Sequence, residues 1–371
     1  MPLLQSRSWG RKKLFQQRRT GWIGIDVGTC ALKMAQVEKV GSKWRIGSSL
    51  VVPNGERRVL DEASVSEGWI RRAVHSGLTA SHEFQGRRAA CLLPMSAIEV
   101  RSLKLPDTSD EELREMIAGE FDASPGRDSQ DREFDFWKIE TTPEVDQDGM
   151  AHLIALSVSR RVAGDLAADV FDAGLKCEVL DGLPFALARA ISMVSPQSSK
   201  LPVAAVDWGF TTAAFTVVAG GIPVFTRNLR ECGLEHLMRT VTDGLGLSDQ
   251  ECEQILTAYG IPQPGADSRP SNLQQAIFDL ATEPLGEMVD ELTRTLSYLR
   301  QHQSAFFPTR IWMFGGGAAI HNVAEFLASK TGVPIEVWRL AGRSTDSDQQ
   351  THAKTALLGP AAALSALASE S

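Results

Sequence analysis

"IGIDVGTCALKMAQVEKVGSKWRI", residues 23–46, ends its first apolar run on Asp26 and turns through Val-Gly-Thr. It returns along a second strand that carries Lys33, then passes a Gly-marked turn into a third. The frame recurs at residues 204–227, "AAVDWGFTTAAFTVVAGGIPVFTR", setting Asp207 over Asp26 and Gly209 over Gly28. A single Asp-x-Gly arises easily by chance. Repetition of the whole strand-turn-strand frame marks a duplication, so an α/β protein of two similar lobes is expected.

An Asp at the end of a buried strand does little for packing but suits a water-coordinated Mg²⁺ in a cleft. The Gly two residues on lets backbone amides approach phosphate oxygens, and Lys33 would add a cation beside them. The plainer alternative is that each Asp only closes its hairpin turn. Two copies favour a phosphate clamp with one hairpin from each lobe. A third element, "FGGGAAI" at 314–320, stands between a strand and a helix, where glycines permit close approach and a helix start favours negative charge.

The polar "SPQSSKLP" (195–202) precedes the second copy and is the expected boundary between lobes. The first lobe is read as residues 21–95 and 177–200, interrupted by a small α/β insertion at 96–176. There, "SDEELREMIAGEF" predicts a helix with Ser109 as N-cap, Glu112 at N3 and an apolar stripe of Leu113, Met116 and Ile117. "FDFWKIE" and "HLIALSVS" alternate like paired strands, and the helix "RRVAGDLAADVFDAG" completes the insertion. The second lobe takes residues 201–371, with a helical part at about 232–309 and an apolar terminal helix, "KTALLGPAAALSALA". Residues 1–20 read as a flexible basic leader, with Arg7, Arg11, Lys12, Lys13, Arg18 and Arg19 and no acid; a solvated tail and contact with an anionic surface are both open.

The 371 residues carry a net charge of -8, which argues against a protein that wraps nucleic acid. No apolar run approaches the roughly 18 to 20 residues of a membrane span, and the leader lacks the continuous apolar stretch of a secretory signal. Five scattered cysteines without a C-x-x-C pair fit a reducing compartment better than a zinc site or redox dithiol. The histidines lack ligand spacing, and no nucleophile frame is present.

The ordered set "GIDVGTCALK", "AVDWGFTTAAF" and "FGGGAAIHNVAEFLASKTGVPIEV" resembles the phosphate-1, phosphate-2 and adenosine motifs of the actin-like ATPase superfamily. Within it the chain is more similar to the PilM-like proteins of type IV pilus assembly and, more distantly, to FtsA of cell division. "LKLPDTSDEELREMIAGEF", "AGLKCEVLDGLPFALARA" and "LGEMVDELTRTLSYLR" carry the resemblance beyond the motifs, over about residues 20 to 366. It implies duplicated RNase H-like lobes with an inserted subdomain, and ATP and Mg²⁺ as cofactors. Asp26 and Asp207 would be the metal-facing, catalytic acids, with Gly28, Thr29 and Lys33 at phosphate 1. Gly209, Thr211 and Thr212 would form phosphate 2, and Gly315, Gly316 and Gly317 would face the α-phosphate and adenosine.

Two departures limit the catalytic expectation. In relatives the segment matching "ECEQIL" reads A-E-x-x-K; here Glu253 fits the acid beside the ribose, but the lysine position falls on Leu256. The acid that orients water before the Pro of "LDGLPFALARA" is replaced by Leu183, with Asp181 two residues away as a possible substitute. The resemblance therefore implies a scaffold at the inner face of the inner membrane with at most weak ATPase activity. It would bind the cytoplasmic N-terminal peptide of a PilN-like membrane protein, alongside other pilus or type II secretion components and without nucleic acid. A small-molecule kinase, a filament former and a nucleotide-free adaptor of the same fold remain open alternatives.

Overall fold

The computed structural model describes residues 18–54, 68–81, 83–122, 131–139, 149–195, 201–229, 231–263, 269–340 and 355–369. The chain opens with β1 (Arg18–Thr20), β2 (Ile23–Val27), β3 (Ala31–Val40) and β4 (Lys43–Pro53), followed by α1 (Trp69–Ala80) and β5 (Arg88–Leu92). Next come β6 (Ile98–Pro106), α2 (Asp110–Asp122), β7 (Arg132–Lys138), β8 (Met150–Ser159) and α3 (Arg160–Asp172), then β9 (Lys176–Asp181) and α4 (Leu183–Val194). The second copy supplies β10 (Val203–Trp208), β11 (Ala213–Ala219) and β12 (Ile222–Leu229), then α5 (Leu234–Leu245), α6 (Asp249–Ala258) and α7 (Asn272–His302). β13 (Ile311–Phe314), α8 (Val323–Thr331), β14 (Ile335–Val337) and α9 (Gly359–Ala366) complete the described elements.

Two sheets share one plan. β4, β3, β2, β5 and β9 lie side by side in the first, and β12, β11, β10, β13 and β14 in the second; each runs from antiparallel hairpins into parallel strands. A β-bulge falls at the equivalent place in each copy, between Gln36 and Val37 and between Val217 and Val218. The duplication legible in the sequence thus extends to its irregularities.

A third sheet, in the order β6, β8, β7, carries α2 on a small core of Leu113, Ile117, Phe121, Leu153 and Ala155. Ser109 caps α2 as its sequence predicts, accepting from the Glu112 amide at 3.3 Å. Met116 departs from the expected stripe and is 39% exposed, because the narrow sheet accepts only the Leu113, Ile117 and Phe121 face. The turn between β7 and β8 lies mostly outside the described residues.

Several expected boundaries shift for reasons of packing. α3, read from sequence as part of the insertion, buries Val162, Leu166 and Val170 with Ile23, Ile25 and Met34 of the first sheet. Arg18–Thr20, read as leader, forms β1 and continues the line of β2 along β3. α7 begins at Asn272, where Ser271 and Gln274 form a capping box, and the helix passes through a buried Pro284.

The terminal helix α9, expected with the second lobe, lies against β2, β3, β5 and α4. Residues of both sheets, α4 and α9 share one buried layer that includes Ala35, Ala90, Leu187, Ala205, Phe314 and Ala362. α9 has no solvent face, and apart from Ser365 its residues are apolar on every side. Its Ser365 hydroxyl accepts from the Val37 amide at 2.9 Å and donates to the Trp22 carbonyl, filling the break between β1 and β2.

Candidate functional site

The two Asp-bearing hairpins close by the same local chemistry. Gly28 N donates to Ala31 O at 3.0 Å, and Gly209 N donates to Thr212 O, also at 3.0 Å. A Cβ on Gly209 would stand 2.8 Å from the Thr212 carbonyl oxygen, so that turn requires the missing side chain; one on Gly28 would stand 2.9 Å from Lys33 Nζ, the movable end of a side chain, and 3.1 Å from Ala31 O. The tips touch: Thr29 Oγ1 and Thr211 Oγ1 are 3.0 Å apart. One hydroxyl from each copy therefore closes the gap between the sheets at this end.

Behind the tips lies a compact charged cluster. Lys33 Nζ donates to Asp26 Oδ2 at 2.8 Å, with both side chains largely buried. Register explains the pairing, because Asp26 faces Lys33 across β2 and β3, whereas Asp207 faces Ala214 across β10 and β11. The second copy has no lysine at this position. Burial alone would lower the Lys33 ammonium, but the Asp26 and Asp207 carboxylates outweigh it and hold the group above its ordinary value. Burial pushes the Asp207 carboxyl from 3.8 up to about 6, with Lys33 opposing the shift and Asp26 adding to it.

Gly315 adjoins this cluster. It adopts φ +81°, and a Cβ there would lie 2.6 Å from Asp207 Oδ1 and 2.5 Å from Trp208 O. Gly316 opens a short 3-10 turn to Ala319, and α8 starts only at Val323 after the left-handed Asn322. The glycine segment thus stands between β13 and α8 as a tight turn, as its sequence predicts. Gly317 is a packing glycine, since any Cβ would run into the Trp208 ring.

Asp181 stands in one row with Asp26 across β5, Asp26 facing Leu92 and Leu92 facing Asp181. Asp181 accepts from Arg189 Nη1 at 3.0 Å and from the Gly182 amide at 2.8 Å, so its carboxylate already holds partners. Leu183 is 2% exposed and packs in the layer between the sheets. Glu253 stands exposed on α6, while Leu256 is 3% exposed in the core of the second sheet. Leu256 O accepts from His321 N at 3.0 Å, tying α6 to the segment after the glycines.

Asn54 was not marked by any motif. Its amide donates to Cys30 O at 2.6 Å and its side chain to Thr29 O at 3.2 Å, fastening the first turn to the end of β4. The facing of Ala31 and Pro53 is the signal that leads to it, and this requires the β3–β4 register. Among the described residues, no group of three or more His, Cys, Asp or Glu side chains could hold a metal ion alone. Any metal here would need ligands from a bound molecule or water beyond Asp26 and Asp207.

The family model for the type IV pilus assembly protein PilM matches residues 24–358. A chain in a solved PilM–PilN type IV pilus biogenesis complex superposes with a TM-score of 0.76 at 18% identity, covering 94% of this chain and 98% of that one. The ethanolamine utilization protein EutJ from Carboxydothermus hydrogenoformans gives a TM-score of 0.53 at 15% identity, covering 94% of this chain and 90% of that one. At such identities the structural likeness speaks to fold alone, and the fold is the two-lobed actin-like one with a small inserted α/β unit. The family match spans both Asp hairpins, the insertion and the glycine turn, and on it the chain belongs to the PilM family of type IV pilus assembly proteins.

Proposed function

We propose that this chain is a nucleotide-binding scaffold whose lobes are bridged by Mg²⁺-ATP, and that it works at the inner face of the inner membrane. The contact between Thr29 and Thr211 carries the reading, because it brings the two duplicated turns together in front of Asp26, Lys33 and Asp207. The donor set fits hydrated Mg²⁺: hard carboxylate oxygens on Asp26 and Asp207, the latter so close to the Gly315 backbone that no side chain fits there. The metal would supply charge neutralisation between Asp26 and Asp207. Lys33, Gly28 and Thr29 would contact one set of phosphate oxygens, and Gly209, Thr211 and Thr212 the other. Gly315 and Gly316 would border the nucleoside, with Gly317 packing behind them on Trp208 and Glu253 on the ribose side.

Two carboxylates against one ammonium leave the cluster net negative, so a bare triphosphate is repelled and binding requires Mg²⁺. Leu183 offers no proton acceptor and Asp181 is tied to Arg189, which supports binding over turnover. The PilN seen with the superposed relative supports a PilN-like cytoplasmic tail as partner, with the inserted unit as part of its seat. Trp137 of that unit donates to Pro223 O at 2.6 Å and packs edge-on to Phe185 of α4. That contact offers a route by which lobe closure reaches the insertion. Among the described residues, no helix is long and apolar enough to cross a membrane, so attachment would run through partners or the surface.

One observation favours a nucleotide-free adaptor instead: Lys33, from within the fold itself, neutralises Asp26. Thermal melting separates the two readings. Mg²⁺-ATP at about 100 times its dissociation constant should add near 2.7 kcal/mol, and chelating the metal should abolish the shift. Asp26→Asn should remove it as well. An unchanged melting temperature at millimolar Mg²⁺-ATP would establish the adaptor.

A further inference from the structure

The cysteines are scattered along the chain, yet the first sheet brings two of them together as a dithiol that their spacing does not show. Cys91 of β5 and Cys177 of β9 hold their Sγ atoms 3.8 Å apart. The parallel register sets Cys177 opposite Ala89, and residues two apart on a strand share a face, so Cys91 lies diagonally beside Cys177. A β-bulge falls at this point, between Ala89 and Ala90, with Glu178 as the extra residue of β9. A bulge interrupts the ladder and bends its strand, and here the two thiols meet across it.

The two sulfurs differ in access to solvent. Cys91 is fully buried with Val162 and Leu166 of α3, whereas Cys177 is half-buried at the margin of the same layer. Burial disfavours a thiolate, so the charge belongs on Cys177. When Cys177 ionises, the Cys91 thiol donates to it, and this bond holds Cys177 below its ordinary value against the effect of burial. The same bond, together with burial, raises Cys91 well above its own. The pair therefore combines an accessible sulfur that ionises with a buried one that keeps its proton. Elsewhere, burial pushes the Cys232 thiol up to about 11, and Cys252 is fully buried.

We propose that Cys91 and Cys177 form a redox-modification site, which a hydroperoxide converts to a disulfide at the root of the inserted unit. The Cys177 thiolate attacks one peroxide oxygen: an S–O bond forms, the O–O bond breaks, and hydroxide leaves to take up a proton as water. Cys177 is oxidised by two electrons to a sulfenic acid. The Cys91 sulfur then attacks the Cys177 sulfur: the S–S bond forms, the S–O bond breaks, and hydroxide departs with the Cys91 proton as a second water. Closing the gap from 3.8 Å to about 2 Å takes place at the bulge, where the ladder is already open. The two residues are 86 apart in sequence, and β5 and β9 are the strands by which the chain leaves the first sheet for the insertion and returns from it. Oxidation therefore fixes that root covalently, where the reduced chain holds it by strand pairing and packing.

Non-reducing peptide mapping of the full chain, reduced and then exposed to hydrogen peroxide, tests this directly. A Cys91–Cys177 link is expected, and dithiothreitol should reverse it. The oxidised protein should melt at a higher temperature than the reduced one, because closing a long loop restricts the unfolded chain. Cys177→Ser should abolish the link and leave no sulfenic acid at Cys91. Cys91→Ala, which keeps the buried position apolar, should stop the reaction at a Cys177 sulfenic acid that dimedone captures. The map assigns each product to its residue, which separates this reaction from oxidation of the half-buried Cys30. Sulfenic acid on Cys177 of the parent with no link to Cys91 overturns the proposal, as does oxidation that spares Cys177. A link that forms equally well in urea also overturns it, since unfolded thiols meet by chance.

Discussion

Replacing Gly24 by alanine is expected to lower the unfolding free energy by about 3 kcal/mol, the upper end for overpacking, because the methyl meets backbone. A Cβ at this position of β2 would run into the Ala361 carbonyl oxygen of α9. Neither atom can swing away as a side chain can, so the helix must lift from the sheet. Lifting α9 opens the layer between the two sheets and breaks the Ser365 link to Val37. Ser365→Ala gives a milder version, about 1 to 3 kcal/mol, by leaving the buried Val37 amide without its acceptor. Urea unfolding measures both, and a Gly24→Ala protein as stable as its parent would show that α9 does not seat on β2.

The sequence exposed what is local and repeated. The strand-turn-strand frame, the Ser109 cap and the β7–β8 alternation each depend on neighbours within a few residues, and each appears in the structure. What escaped depends on distant partners. "GPAAALSALA" is equally apolar whichever lobe it joins, and only Gly21 and Gly24, more than 300 residues earlier, reveal the backbone it lies against. α3 has an ordinary amphipathic face that fits an insertion or a main sheet, and Val162, Leu166 and Val170 do not say which.

The candidate site divides in the same way. Asp26, Asp207 and their glycines stand out because they are copied, and Thr29 and Thr211 fall within the copied turns. That one lysine serves both acids follows from the register that places Ala214 opposite Asp207. The tie of Asp181 to Arg189 depends on the spacing of β9 and α4, which a motif cannot convey. Asn54 needs the full length of β3 and β4 to be aligned before it meets the Thr29 turn.

Removing the Lys33 ammonium should expose how this cluster balances its charges. Lys33→Met is expected to cost the nucleotide-free protein about 3 to 5 kcal/mol at pH 8, the range for a buried pair that loses one partner. Two carboxylates would then face each other in a poorly solvated space. The deficit should shrink on acidification, because the Asp207 carboxyl titrates at about 6 even with the lysine present. A carboxyl whose folded pKa lies above its unfolded one adds stability below the unfolded value of 3.8 and loses it as pH rises through about 6. The difference between variant and parent should therefore be largest at pH 8 and decline toward pH 5. Adding Asp207→Asn should restore much of the loss at pH 8, since one repelling charge is gone. Mg²⁺ alone should raise the melting temperature of Lys33→Met more than that of the parent, because a dication between Asp26 and Asp207 replaces the missing ammonium. A variant that melts like its parent at pH 8 would refute the shared-lysine cluster. One that is destabilised but insensitive to both pH and Asp207→Asn would show that Lys33 acts through packing.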